Sequence, residues 1–331
     1  MKIVYNIAPM ALAVALFFFR LEAASQTYAE RLGWEPGSRV VMFHCDDAGM
    51  SHASNLGTIE SLEKGVVTSL SIMMPCPWVP EIIRYVKEHP EVDAGLHLTM
   101  NSEWNLYRWG PVAGKPAVPG LCDPDGYLWH PVQETAKHAT PDEVEKEIRA
   151  QIEKAEAMGL RPTHIDTHMG ALAATPEFFD RYIKVGIEKQ IPVLAIGGHR
   201  NFARIENPVA VKHLEERIKK IWDAGLPVID DLHTASYEWK EGPKSERFIT
   251  MLKNLKPGVT MVIVHCSRPT DEFPLITSSS NLRLEDLKAM TDPELRKTVE
   301  EQGIQLTSWR ELKQRRLKIR SAKSELRSNG E

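Results

Sequence analysis

The sequence predicts an α/β fold in which parallel strands close into a barrel of seven or eight strands, within a single domain. Three observations predict it. From residue 38 onward, short apolar, β-branched runs alternate with amphipathic stretches of helical length. Seven or eight such units are present, more than an open doubly wound sheet ordinarily needs. The glycine-rich loops that cradle phosphates in dinucleotide-binding and P-loop sheets are absent.

The elements follow in order. Residues 39–44 read as the first strand, 55–64 as a helix and 66–73 as the second strand. A helix over 80–89 precedes a third strand over 93–98. Residues 99–140 then form a segment rich in Pro, Gly and Trp, too long for a plain connector and of the kind that carries function. Pro141-Asp142 opens a strong helix to residue 158, with Val144, Ile148, Ile152 and Ala155 on one face and Gly159 as its stop. Strands over 163–167, 192–196, 227–231 and 259–265 alternate with helices over 176–189, 209–224 and 246–254. A last helix precedes a short eighth strand at 305–308. The basic, polar tail from Leu312 reads as a frayed helix or disorder, so the barrel spans 26–312 and the tail 313–331.

Bulk properties narrow the function. The 331 residues are 42% hydrophobic and 26% charged, with a net charge of −4, ordinary values for a folded globular chain. That balance gives no electrostatic case for a nucleic-acid partner. Lys2, the apolar run over 8–19 and the small residues Ala23-Ala24-Ser25 read as a secretory signal over 1–25, cut before Gln26. The mature protein is then exported, periplasmic or extracellular, with no stable membrane association; an uncleaved anchor is the alternative. Cys45, Cys76, Cys122 and Cys266 form no CxxC pair and read as free, half-buried thiols. Nothing in the sequence excludes a homodimer.

The chemistry collects at the C-terminal ends of the expected strands. There lie His44-Cys45-Asp46-Asp47, Gly95-Leu96-His97, His164-Ile165-Asp166-Thr167-His168, Asp230-Asp231 and His265. In a parallel barrel these ends share one face, where active sites are built from the loops that follow. Two adjacent carboxylates are costly without a cation beside them. One divalent ion resolves this: one carboxylate ligates it, the other is free to accept a proton, and His97 and His168 complete the ligand set. The N/O donor set suits Zn2+, Mn2+, Co2+, Ni2+ or a loosely held Mg2+. Read singly, the same residues are a helix cap and half-buried structural histidines; their conjunction at three strand ends argues for the metal.

These motifs resemble the YdjC/ChbG-like carbohydrate deacetylase family. The matching stretches are His44-Cys45-Asp46-Asp47-Ala48-Gly49-Met50-Ser51 with Asn55, Gly65 to Ser71, Ala94-Gly95-Leu96-His97-Leu98-Thr99, and Pro162-Thr163-His164-Ile165-Asp166-Thr167-His168. The resemblance implies a distorted TIM-like barrel and metal-dependent removal of acetyl from a small N-acetylated sugar or oligosaccharide. It assigns Asp47, His97 and His168 as metal ligands, Asp46 as general base and His265 as general acid. His164 or Asp166 would orient a ligand imidazole or add a ligand. Trp104 and Trp109, with Tyr127 and Trp129 in the long loop, would stack on the sugar or pack against the mouth. The chain departs from the family's pattern at Ala48, at Asn101-Ser102-Glu103-Trp104 and at Met169-Gly170-Ala171. The alternatives are a metal hydrolase of another amide or an O-acetyl ester, and a non-catalytic exported sugar-binding barrel.

Overall fold

A computed structural model describes residues 26–206, 214–239 and 242–328. The signal expected at 1–25 and the start of the helix expected at 209–224 lie outside the described residues.

Among the described residues, seven strands form one curled, all-parallel sheet: β1 (Arg39–Ala48), β2 (Ser69–Ile72), β3 (Ala94–Leu98), β4 (Ile165–Thr167), β5 (Asp231–His233), β6 (Gly258–Val264) and β7 (Gln305–Leu306). Their order is β4-β3-β2-β1-β6-β5, with β7 paired to the start of β1. Parallel pairing demands a crossover between neighbours, and the amphipathic helices supply it. Strand β1 is central and buried along almost its whole length, as its apolar run requires.

The expected strand at 192–196 is an irregular bridge rather than a ladder. Pro192 has no N–H to give. Ile165 N donates to Pro192 O (2.9 Å) and Leu194 N to Ile165 O (3.1 Å). On its other side Gly197 N donates to Ile229 O (2.9 Å) and Ile229 N to Ala195 O (3.2 Å). The segment thus joins the β4 edge to the chain entering β5 and distorts the barrel there. The expected sixth strand is also displaced: Asp231 begins β5 instead of ending it.

Strand alternation sorts the interior into two layers. Val40, Met42, Val259 and Met261 belong to an apolar floor that also contains Trp309 and Leu312. Above it the same inward rows become polar, with His44, Asp46, Ser69, Ser71, His97, His164 and Asp166 all buried.

The helix Pro141–Ala157 starts with a capping box, in which Thr140 and Glu143 satisfy each other's backbone N–H groups, and it buries Val144, Ile148, Ile152 and Ala155. The basic tail is helical as far as the described residues run. Residues Trp309–Ser328 form one helix, begun by the Asp93 carboxylate, which accepts from Trp309 N (3.0 Å) and Arg310 N (2.9 Å). Its cations reach the carbonyl ends of other helices: Lys313 donates to Gln190 O (2.6 Å), Arg316 to Trp222 O (2.6 Å) and Arg320 to Ala224 O (3.2 Å). Those carbonyls sit at helix C-terminal ends and carry the negative end of the dipole, which gives the basic charge its structural use. The four cysteines are buried and unbridged. Among the described residues no helix is long and apolar enough to cross a membrane.

Candidate metal centre

Adjacent strand residues point to opposite faces, so Asp46 and Asp47 ought to diverge. They do not, because β1 shifts register against β2 between Cys45 and Ala48. Within that irregularity Asp47 adopts φ +65°, a left-handed conformation uncommon for a residue with a side chain. The extra turn brings the Asp47 carboxylate into the cavity that Asp46 already faces.

His97 from β3 and His168 from just beyond β4 meet them there. Asp47 Oδ1 lies 3.4 Å from His97 Nε2 and 3.3 Å from His168 Nδ1. One donor atom from each of the three residues falls within 4.8 Å of the others. Asp47 Oδ1 is buried and accepts no hydrogen bond, a costly state for a carboxylate oxygen unless it serves a cation. Its other oxygen accepts from Arg283 Nη1 at 2.7 Å. Burial alone would raise the Asp47 carboxyl, but the Arg283 guanidinium and the His168 ring hold it well below the usual range. Burial likewise opposes charge on the imidazoles, yet the surrounding carboxylates win: His97 is raised and His168 is pushed up to about 10. The cavity's potential therefore favours positive charge. Two imidazoles and one carboxylate whose facing oxygen has no other partner, at these separations, fit one divalent ion.

Each of these three residues has a partner behind it, Asp166 and Arg283 buried and Glu103 half-buried. Asp166 Oδ1 lies 2.7 Å from His97 Nδ1, so Asp166 orients that ring with its other nitrogen facing the cavity. Glu103 Oε2 lies 3.0 Å from His168 Nε2, and the His168 charge holds the Glu103 carboxyl below its ordinary value despite burial. Arg283 serves Asp47. Beneath them His44, fully buried, places Nε2 2.9 Å from Asp166 Oδ2 and 3.2 Å from Asp46 Oδ1. Against its desolvation, Asp166 and Asp46 push His44 up to about 10. His164 groups instead with His44 and Asp166, one donor atom from each lying within 4.8 Å of the others. Burial and the neighbouring His44 charge lower it to about 4, and its ring stacks on Trp309 at 5.4 Å. Gly95 is needed to admit that ring, since a Cβ there would sit 2.4 Å from it.

Asp46 Oδ1 accepts from Ser71 Oγ (3.3 Å), while Oδ2 faces His97 Nε2 (3.7 Å) and His265 Nε2 (3.9 Å). His265 follows β6 and is anchored by its backbone N–H to Asp286 Oδ2 (2.9 Å), and its Nδ1 lies 4.0 Å from the same oxygen. Asp286 is in turn paired with the buried Lys244 at 2.7 Å. Burial and the Arg283 charge lower His265 below the ordinary imidazole value.

Asp230 and Asp231, placed with this face by the sequence pattern, serve the backbone instead. Asp230 accepts from Tyr28 N, Ala29 N and Val259 N, and Asp231 from Phe202 N, Ala203 N and Leu232 N. The two loop tryptophans differ. Trp109 is 3% exposed, donates Nε1 to Asn101 O (2.9 Å) and packs against Trp104, Tyr107 and His168. It builds the wall behind His168. Trp104 is half-buried, with Arg283 5.7 Å above its ring. Sequence reasoning missed Glu103, Arg283, His44 and Asp286 as site residues; only His44, in an inward row two residues before Asp46, carried a signal that strand alternation can read.

Comparison with known proteins gives the chain's relatives. The YdjC-like protein family matches residues 40–301. A carbohydrate deacetylase of Geobacillus stearothermophilus is 28% identical over 278 residues, spanning 82% of this chain and 98% of the relative. A chitooligosaccharide deacetylase of Yersinia enterocolitica is 26% identical over 278 residues, with 82% and 98% covered. A solved structure from Enterococcus faecalis V583, named for cellobiose-phosphate cleavage, superposes with a TM-score of 0.69 at 22% identity, covering 82% of this chain and 98% of its own. That last likeness establishes the fold.

Proposed function

The chain belongs to the YdjC-like protein family, and from that premise we propose that it is a divalent-metal-dependent hydrolase removing N-acetyl groups from small amino-sugar substrates. The observation that carries the reading is the convergence of Asp47 Oδ1, His97 Nε2 and His168 Nδ1, with a second carboxylate, Asp46, beside them. The substrate class comes from the relatives named for carbohydrate and chitooligosaccharide deacetylation.

Asp47, His97 and His168 would hold the ion. When bound, it supplies Lewis acidity, polarising the acetamide carbonyl and easing deprotonation of water. Asp46 accepts the proton of the attacking water on Oδ2, because Oδ1 is held by Ser71 and His44. His265 stands 3.9 Å away across the cavity and protonates the departing amine. Charge balances if the proton taken up by Asp46 passes to His265, whose imidazole is held below its ordinary value by burial. Trp104 offers a half-buried aromatic edge for a sugar ring. Export through the segment 1–25 is part of the proposal and rests on the sequence pattern.

The test is acetate release by the purified protein from N-acetylglucosamine oligomers, set against simple O-acetyl esters. Release from the oligomers, abolished by a chelator and restored by a divalent ion, is expected. Asp46→Asn should keep its metal and lose turnover by roughly 100-fold or more, the scale of a lost general base. An enzyme that cleaves only esters, or an Asp46→Asn variant near full activity, overturns the proposal.

A further inference from the structure

We propose that Glu103 is a positioning residue of the metal centre, fixing His168 with its Nε2–H turned outward so that Nδ1 is the nitrogen presented to the ion. The inference rests on the reading of Asp47, His97 and His168 as ligands. Both nitrogens of His168 are accounted for: Nε2 lies 3.0 Å from Glu103 Oε2, and Nδ1 lies 3.3 Å from Asp47 Oδ1. His97 shows the converse. Its Nδ1 is held by Asp166 at 2.7 Å, and its Nε2 faces Asp47 Oδ1 at 3.4 Å. The two rings thus present opposite nitrogens to one point, each backed by its own carboxylate.

The backing carboxylates have different origins. Asp166 sits in β4, two residues before His168, and is placed by the strand. Glu103 belongs to the long segment after β3, and that segment is built to hold it. Its neighbours Asn101 and Ser102 are fully buried. Ser102 N donates to Trp129 O (2.8 Å), and Ser102 Oγ accepts from Trp109 N (3.1 Å). Asn101 Nδ2 reaches Met169 Sδ (3.1 Å), tying the segment to the residue next to His168. Trp109 then covers the His168 ring at 6.4 Å. Farther out, Glu147 accepts from Val112 N (2.9 Å) and Ala113 N (2.8 Å) and pins the segment to the helix Pro141–Ala157. The segment's role is then to support a ligand, not only to line the mouth. A carboxylate on the outer N–H of a ligand imidazole fixes its tautomer and raises its basicity, and its loss commonly costs metal affinity.

The test uses the full chain and two variants, Glu103→Gln and Glu103→Ala, with Co2+ as a spectroscopic probe and Zn2+ affinity read by competition with a chromophoric chelator. Glu103→Ala should bind about 10- to 100-fold more weakly, Glu103→Gln should fall between it and the wild type, and the visible Co2+ bands should move in both. A role confined to loop packing would leave the near-isosteric Gln variant unchanged in affinity and spectrum. Wild-type behaviour in both variants overturns the inference while leaving the metal centre intact. If Glu103→Ala does not fold, the Gln variant decides through the same two readouts. If the wild-type chain takes up no Co2+, the metal reading itself fails, and this inference with it.

Discussion

Replacing Arg283 by Leu tests the electrostatic logic of the centre most directly. The guanidinium donates to Asp47 Oδ2 at 2.7 Å, and both residues are at most 3% exposed. Charge centres roughly 4 Å apart at an effective dielectric near 20 attract by about 4 kcal/mol. Breaking a buried pair by removing one partner costs about 3–5 kcal/mol, because the remaining charge is stranded. Arg283 also donates to Ser279 Oγ (3.1 Å) and Tyr237 Oη (3.3 Å), so the loss extends to those contacts. At roughly 2–4 °C per kcal/mol for a chain of this class, the metal-free variant should melt about 10 °C lower. A divalent ion would neutralise the stranded Asp47, so saturating metal should recover part of that loss. The assay is thermal unfolding of wild type and Arg283→Leu, with chelator and with excess Co2+ or Zn2+. A chelated variant within about 2 °C of wild type would refute the assignment of Arg283 as the counter-charge of Asp47.

Two further outcomes follow from the charges around the site. Glu147→Gln sets an amide N–H2 against the backbone N–H of Val112 or Ala113; at pH 8, above the value of about 7 to which burial raises its carboxyl, it should cost about 1–3 kcal/mol and expose the segment 99–140 to proteolysis, and an undiminished melting temperature with no new cleavage would sink this. His44, raised to about 10 from an ordinary 6.5, contributes stability that is fully present below pH 6.5 and is lost as pH climbs through 10. Wild type should therefore lose more melting temperature between pH 7 and pH 9.5 than His44→Asn does, by at most about 1.4 kcal/mol per pH unit. Parallel pH profiles for the two proteins would show that His44 carries no such charge.

Much of this architecture is legible in the sequence because parallel strands advertise themselves. The apolar runs locate β1, β3, β4 and β6, and once their C-terminal ends share a face, His97, Asp166, His168 and His265 must gather. What stays hidden depends on three-dimensional neighbours. Arg283 lies in the helix Ser280–Met290, with no pattern to mark it as the partner of a residue far away in the chain. Glu103 lies in a segment without periodicity. The bridge over 192–197 looks like a strand because its residues are apolar, although it pairs only through isolated bridges, Ile165 with Val193 and Ile196 with Ile229. The basic tail looks solvated because the carbonyl ends it caps belong to other helices.

The two aspartate pairs show where such reading stops. Asp46-Asp47 and Asp230-Asp231 each follow an apolar run, and by composition they are equivalent candidates for a metal site. Their fates diverge through what the surrounding backbone offers. Around Asp230 and Asp231 six backbone N–H groups donate to the two carboxylates, so their charge is spent on the fold. Around Asp46 and Asp47 the backbone donors are taken up by the sheet, and the bulge turns the Asp47 carboxylate toward the imidazoles that Asp46 already faces. A carboxylate in that position is stabilised only by side-chain cations or an ion, and Asp47 Oδ1 is left accepting from neither backbone nor hydroxyl. The left-handed turn at Asp47 is therefore what separates a pair that meets imidazoles from one spent on the backbone: a chain extended at that residue would send Asp47 outward with Cys45 and leave His97 and His168 with no shared carboxylate to meet.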